Sequence, residues 1–168
     1  NMVQQIAYIA SHTTEYLNRV APVSGTIVLE VAVGSHYFFE IAKLRALRLV
    51  LESVAAAFNP ELKFHILTTP SKRNKTLYDY NVNLLRTTTE CMSAILGESD
   101  AVANLPYDAL YHKDNEFGDR IARNQLLVLK HESYFNKVNN PADGSYYIES
   151  LTNQLAEKAL VLFKDIEA

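Results

Sequence analysis

Two groups of basic side chains are the residues of this sequence best suited to binding chemistry. Lys72, Arg73 and Lys75 lie just ahead of a predicted helix. Because the N-terminus of a helix attracts anions, these residues could bind a phosphate. A charge run of this kind more often belongs to a solvated loop or contacts a partner subunit. We therefore favour a loop or partner contact and keep the anion site as the alternative.

Arg120 and Arg123 form the second group, one helical turn apart, with Asn124 beside them. They could hold a carboxylate of a partner, or of a part of the domain outside this chain. Glu116 and Asp119 lie within reach on the same predicted helix. Helical spacing favours internal salt bridges with these two acids over a binding site.

No constellation of residues indicates catalysis or metal binding. Cys91 lies in the middle of a predicted helix, so we expect a small buried residue rather than a nucleophile. The five histidines lack the spacing of a zinc site, and the five glycines are too scattered for a phosphate-binding loop. The net charge of −3 gives no reason to expect nucleic acid. No apolar run could span a membrane, and a single cysteine suits a reducing cytosol.

Helices and β-branched runs alternate along the chain. Apolar spacing, caps and turn residues such as Pro22 and Gly25 predict helices over 2–19, 36–58, 76–96 and 116–133, and a last one from about 151 onwards. Strands are predicted over 26–33, 63–69 and 100–105, with a short extended piece at 146–148 whose tyrosines pack the last helix against the sheet. This order predicts an α/β fold with a parallel sheet of three to four strands and five helices, joined by right-handed crossovers.

The predicted caps are Ser35 for the second helix, a Thr76–Asp79 capping box for the third and Asp114 for the fourth. The first helical pattern begins at once, without a Ser, Thr or Asp to cap it. That start predicts a fragment of a longer protein.

Four segments carry a family resemblance: 39–46 (FEIAKLRA), 83–94 (NLLRTTTECMSA), 120–125 (RIARNQ) and 140–149 (NPADGSYYIE). Together and in this order they resemble the adenosylcobalamin-dependent acyl-CoA mutases, above all the methylmalonyl-CoA mutase family. The likeness runs from residue 2 to the end. It implies half of a TIM-type (β/α)8 barrel, with residues 1–168 forming one fragment from the C-terminal half of that domain. The cobalamin-binding domain is not expected within residues 1–168, where its Asp-x-His-x-x-Gly signature does not occur.

The family's substrate-binding residues do not recur here. Strand six of catalytic chains reads Arg-Leu-Ser-Phe-Phe, where Thr26 and Val28 replace the Arg and the Ser. On strand seven, Leu67 and Thr69 replace a His and a Gln. The family's Asn and Glu near cobalamin match Leu105 and Ala109. The resemblance therefore implies no catalytic, cofactor-binding or metal residue in this chain.

Strand alternation supports this interpretation. It places Val28, Glu30 and Ala32 on one face and the bulkier neighbours on the other, which the helices should cover. Glu30 should then face the barrel lumen, where a carboxylate is costly unless paired and repels an anionic CoA ester. Leu67 cannot donate a hydrogen bond to a thioester.

The resemblance thus implies a structural small subunit, itself inactive, in a cytoplasmic complex that interconverts methylmalonyl-CoA and succinyl-CoA. Adenosylcobalamin would be bound by the partner, the large subunit. Two alternatives stay open: part of a catalytic mutase of divergent specificity, and a stand-alone interaction module. A half-barrel has open sheet edges, so the isolated chain is expected to self-associate.

Overall fold

Five helices and a three-stranded parallel sheet make up the computed structural model, which describes residues 1–20 and 25–168. The elements in chain order are α1 Met2–Arg19, β1 Thr26–Val33, α2 Tyr37–Phe58, β2 Lys63–Pro70, α3 Val82–Leu96, β3 Ala101–Val102, α4 Glu116–His131 and α5 Tyr146–Glu167. The predicted α/β class and partial-barrel architecture are confirmed. Pro22, predicted to end the first helix, lies outside the described residues. Within those residues, no helix is long and apolar enough to cross a membrane.

The sheet has the order β1-β2-β3 and holds the carboxyl ends of its strands at one edge. β1 and β2 pair along their full length, from Thr26 opposite Lys63 to Val33 opposite Pro70. β3 pairs with β2 at two positions only, so the third strand is much shorter than the 100–105 expected. β1 and β3 are the edge strands of the sheet within the described chain.

The core lies between the sheet and helices α1, α2 and α5. The sheet contributes Val31, Val33 and Ile66 to this core. Helix α2 contributes the apolar stripe predicted by helical spacing, which includes Leu44, Leu47 and Leu51. Full burial of one such side chain stabilises the fold by about 1.5–3 kcal/mol. α2 is covered on nearly all sides, with eleven buried residues. The opposite face of β1 is exposed to solvent at every second residue.

Helix α3 begins six residues later than predicted, at Val82. The capping box of Thr76 and Asp79 does not form. Instead the Asn83 side chain accepts from the Thr76 N–H and donates to the Thr76 and Tyr107 carbonyls, each at 2.9 Å. These bonds hold residues 76–81 in turns, because the Thr76 backbone groups are satisfied without a helix.

The other predicted helix starts also need correction. Ser35 is not the cap of α2, which starts after His36 without a side-chain cap. The cap of α4 is Asn115 rather than Asp114, and it accepts from the Gly118 N–H at 2.8 Å. Asn1 caps α1 in a capping box with Gln4, a role that the search for Ser, Thr or Asp overlooked.

The extended piece predicted at 146–148 is also wrong, since α5 is helical from Tyr146 onwards. Tyr146 does not pack the helix against the sheet, because its side chain is 94% exposed. The helix packs through Leu155, Ala156 and Ala159 against α1 and α2 instead.

Candidate functional site

The exposed face of the sheet, called here the open face, is the surface that a barrel would turn toward its lumen. Glu30 of β1 stands opposite Leu67 of β2, and Ala32 stands opposite Thr69. Side chains in register on parallel strands share a face. Exposure alternates along β1, with Val28, Glu30 and Ala32 exposed between half-buried or buried neighbours. Glu30 thus lies on the exposed face of the sheet, and its position in a barrel lumen stays a prediction.

Apart from the amino ends of β1 and β2, the open face offers little that could hold a thioester. Val28, Ala32 and Leu67 have no hydrogen-bonding side chain, and Thr69 supplies one hydroxyl. Glu30 is exposed and forms no ion pair within the described residues. An anionic CoA ester would be repelled by that carboxylate.

Two further polar side chains share this face and were missed by the sequence reasoning. Lys63 stands opposite Thr26, and His65 opposite Val28, at the amino end of β2. α/β barrels carry their chemistry at the carboxyl ends of the strands. Strand alternation predicts both residues on this face, because His65 lies two positions and Lys63 four positions before Leu67.

Lys75 is removed from the predicted anion site by a buried ion pair. Its Nζ lies 2.6 Å from Glu90 Oε2 and also donates to the Ser71 carbonyl at 2.8 Å and to Asn74 Oδ1 at 3.0 Å. These bonds use all three N–H donors of the ammonium group. Burial lowers the pKa of Lys75 and raises that of Glu90, so burial opposes the charged form of each.

Lys72 and Arg73 remain exposed on the loop after β2. They lie nine or more residues before the start of α3, so they are not at a helix N-terminus as the prediction assumed. Neither forms an ion pair among the residues that the structure describes. A contact with an anion or a partner stays a prediction for these two residues.

Arg120 and Arg123 are both exposed on α4. The favoured salt bridges with Glu116 and Asp119 are not formed in the described part of the chain. The Arg120 guanidinium lies 5.5 Å from the centre of the Phe117 ring, within cation–π range. Arg123 borders a cavity of about 210 Å³ lined also by Asn104, Pro106, Asp119, Ala122 and Leu126.

Cys91 is fully buried on α3, as predicted. Its thiol lies 3.3 Å from Asn104 Oδ1. Burial, followed by the nearby Glu90 charge, raises the pKa of Cys91 to about 12. A thiol with that pKa stays protonated at neutral pH and is a poor nucleophile.

A carboxylate–histidine pair on the loop after β3 was not predicted. Asp108 is buried, and its Oδ2 lies 3.0 Å from His112 Nδ1 and accepts from Asn115 Nδ2 at 2.8 Å. Burial alone would raise the pKa of Asp108, but these hydrogen bonds outweigh it and the pKa is lowered. In the described residues, no group of three or more potential ligands could hold a metal ion. Because Asn115 is the cap of α4, its hydrogen bond to Asp108 fastens the loop to the start of that helix.

The segments that carry the family resemblance contact one another in pairs, the first with the fourth and the second with the third. Arg45, in the first segment, forms an ion pair with Glu149 of the fourth at 2.7 Å and donates to Asn140. Gln125, in the third, donates to the Leu84 carbonyl at 2.8 Å and to Thr88 at 2.7 Å in the second. These shared residues hold helices and loops together, and none of them lies on the open face.

Sequence comparison with known proteins identifies the family of this chain. The family model described as methylmalonyl-CoA mutase matches residues 1–168. The chain is 39% identical to the methylmalonyl-CoA mutase small subunit of Porphyromonas gingivalis, over 99% of this chain and 29% of that protein. It is 36% identical to the methylmalonyl-CoA mutase of Rhizobium meliloti, over 99% and 25% respectively. The P. gingivalis large subunit is 37% identical over 81% of this chain and 20% of its own length.

The chain spans less than a third of the length of these relatives. The family match, in contrast, runs from the first residue to the last. The chain therefore belongs to the methylmalonyl-CoA mutase family.

Proposed function

We propose that this chain is the second half of the barrel domain of a methylmalonyl-CoA mutase small subunit, and that its role is structural. It supports a catalytic large subunit rather than binding substrate itself. The observation that carries the proposal is the open face, where Glu30 and Leu67 stand side by side. A carboxylate and a methyl-tipped side chain at that position repel an anion and donate no hydrogen bond to a carbonyl.

The distribution of shared residues supports the same role. Arg45, Glu149 and Gln125 belong to the segments that resemble the family and make the contacts that join the helices. The residues that would grip substrate in catalytic chains are replaced by Thr26, Val28, Leu67 and Thr69. A supporting role requires a subunit that forms the packing contacts between helices, and it does not require side chains that bind substrate.

In the complex that we propose, the large subunit holds adenosylcobalamin and substrate. The complex interconverts methylmalonyl-CoA and succinyl-CoA in the cytoplasm, and the cofactor supplies the radical chemistry. The small subunit binds the folded large subunit, and this binding shifts the unfolding equilibrium of the large subunit toward its folded state.

Reconstitution tests this role. The large subunit of the same organism is assayed alone, with the intact small subunit, and with the small subunit heated beyond its unfolding transition and cooled. We expect a 1:1 complex in sedimentation and a higher unfolding temperature of the large subunit only with folded small subunit. Mutase turnover by the small subunit alone would favour the catalytic alternative. Failure to form any complex would favour the stand-alone module.

A further inference from the structure

Lys75, Glu90 and Asn74 form a closed triangle of hydrogen bonds inside the fold. Lys75 Nζ donates to Glu90 Oε2 at 2.6 Å and to Asn74 Oδ1 at 3.0 Å. The Asn74 side-chain nitrogen donates to the other carboxyl oxygen of Glu90. The lysine amine and the asparagine amide therefore contact each other, and one carboxyl group contacts the nitrogen of each. An ion pair by itself does not need a side-chain amide in contact with both of its members.

Contacts within residues 71–90 hold this triangle away from water. The side chains of Lys75 and Glu90 are 1% and 0% exposed. Lys75 also donates to the Ser71 carbonyl at 2.8 Å, and Arg86 donates to the backbone carbonyl of Asn74. A lysine buried in this way is out of reach of molecules in solution, so its chemistry is confined to the groups already beside it.

The surroundings favour a reactive form of the lysine. Burial lowers the pKa of Lys75 and raises the pKa of Glu90, so it favours a neutral amine and a neutral acid. A desolvated lysine amine is a nucleophile, because its electron pair is free. Since a C=O bond is about 1.2 Å long, the carbonyl carbon of the Asn74 side chain lies within about 4.2 Å of Lys75 Nζ. A small side-chain rotation brings the two atoms to the separation of about 3–3.5 Å from which a bond forms.

We propose that Lys75 and Asn74 become joined by an isopeptide bond, with Glu90 as the proton carrier. Lys75 Nζ attacks the carbonyl carbon of the Asn74 side chain, and the bond between that carbon and Nδ2 breaks. One hydrogen of the lysine ammonium group stays on the new amide nitrogen. A second passes through Glu90 to Nδ2, which leaves as ammonia, and the third remains on the Glu90 carboxyl group. The step needs no oxidant, reductant or cofactor.

The product replaces a buried pair of charges by neutral groups. A neutral amide and a neutral carboxylic acid stand where the Lys75 cation and the Glu90 anion were, and burial of such charges is costly even when they are paired. Glu90 lies within hydrogen-bond reach of both reacting nitrogens, as an acid–base catalyst must. The inference does not depend on the proposed function, because every group in the reaction belongs to this chain.

Peptide mapping of the purified full-length protein tests the proposal. We expect the peptide that contains residues 74–75 to be lighter than its sequence by one ammonia. Trypsin should fail to cleave after Lys75 in the denatured protein. A succinimide at Asn74 also releases ammonia, but it leaves the lysine amine free to react with an amine reagent in denaturant. Failure of that reagent to label Lys75 therefore identifies the isopeptide bond.

Three variants assign the roles within the triangle. Glu90→Gln removes the proton carrier, and its peptide should keep the full mass. The control Glu52→Gln makes the same change on an exposed residue of α2 and should be cross-linked like the wild type. Asn74→Asp keeps an electrophilic carbon at the same position, so its peptide should lose one water in place of one ammonia.

Two results would overturn the proposal. One is a wild-type peptide of full mass in which Lys75 is open to trypsin and to the amine reagent. The other is cross-linking in Glu90→Gln, because Glu90 would then not carry the protons. If Glu90→Gln does not fold, Asn74→Asp decides the matter: loss of water supports the proposal, and a peptide of full mass overturns it.

Discussion

Glu30 and Leu67 stand in register on adjacent parallel strands, with both side chains on the open face of the sheet. A carboxyl group and an apolar side chain therefore lie side by side on this face. The arrangement follows from strand alternation alone, because the bulky side chains of β1 are needed on the helix side of the sheet.

The buried pair of Lys75 and Glu90 predicts a large loss of stability when one partner is removed. Their side chains are 1% and 0% exposed. Lys75→Met leaves the Glu90 carboxylate buried without its cation, which should destabilise the fold by about 3–5 kcal/mol. Denaturant titration followed by circular dichroism measures the change.

Two companion variants make this test specific. Lys75→Met/Glu90→Leu removes both charges and should recover most of the lost stability, since an apolar pair of similar volume is often neutral. Lys72→Met changes an exposed lysine of the same loop and should alter stability by less than about 0.5 kcal/mol. Equal losses in Lys75→Met and Lys72→Met would contradict the buried pair.

Asp108 predicts a weakening of the fold at acid pH. Its pKa is lowered in the folded state, chiefly by hydrogen bonds from His112 and Asn115 that outweigh the effect of burial. A group with a depressed folded pKa stabilises the fold above its unfolded pKa, about 3.9 for Asp, and loses that contribution as pH falls through the folded value. Stability should therefore decline below about pH 4, and the decline should be shallower in Asp108→Asn. The exposed Asp114→Asn serves as control and should follow the wild-type profile.

Cys91 should be unreactive while the chain is folded. The thiol is fully buried and its pKa is raised to about 12, mainly by burial. Because the thiolate is the reactive form, a thiol reagent such as DTNB should label Cys91 only after unfolding in denaturant. Rapid stoichiometric labelling of the native chain at about pH 8 would contradict the burial of Cys91 on helix α3.

Within the described residues β1 is an edge strand of the sheet, so we expect the isolated chain to self-associate. The strand is eight residues long and carries one charged residue, Glu30, in the run TIVLEVAV. Such an edge invites pairing with another chain, and an added lysine normally prevents it. Sedimentation velocity should show dimers or larger species for the wild type and a shift toward monomer for Val28→Lys. A monomeric wild type at high concentration would refute this expectation.

Local patterns were sufficient for much of the fold. β1 was predicted to the residue, because a β-branched run between Gly25 and Gly34 strongly favours a strand that ends at both glycines. The same holds for the C-terminal end of α3, where Gly97 is the cap. The face of the sheet on which the Glu30 side chain lies was predicted by strand alternation. In each case the deciding interaction lies within a few residues along the chain.

The sequence predictions failed where residues far apart along the chain determine the local structure. Thr76 and Asp79 resemble a capping box, but Asn83 satisfies the Thr76 backbone and bonds to Tyr107, which no local pattern contains. Lys75 was assigned to a basic cluster, and its partner Glu90 lies fifteen residues away. The Arg45–Glu149 pair spans 104 residues. Side-chain pairs at such separations become visible only once the helices are assembled on the sheet.

Calorimetric titration of the intact small subunit with methylmalonyl-CoA is the most direct test of the proposed structural role. We expect no saturable heat up to about 1 mM ligand for the wild type. The same result is expected for Glu30→Ala, because removal of the repelling charge adds no hydrogen-bond donor that could hold a thioester. A stoichiometric binding isotherm in the micromolar range, abolished by substitution of Thr26 or Thr69, would contradict the structural role.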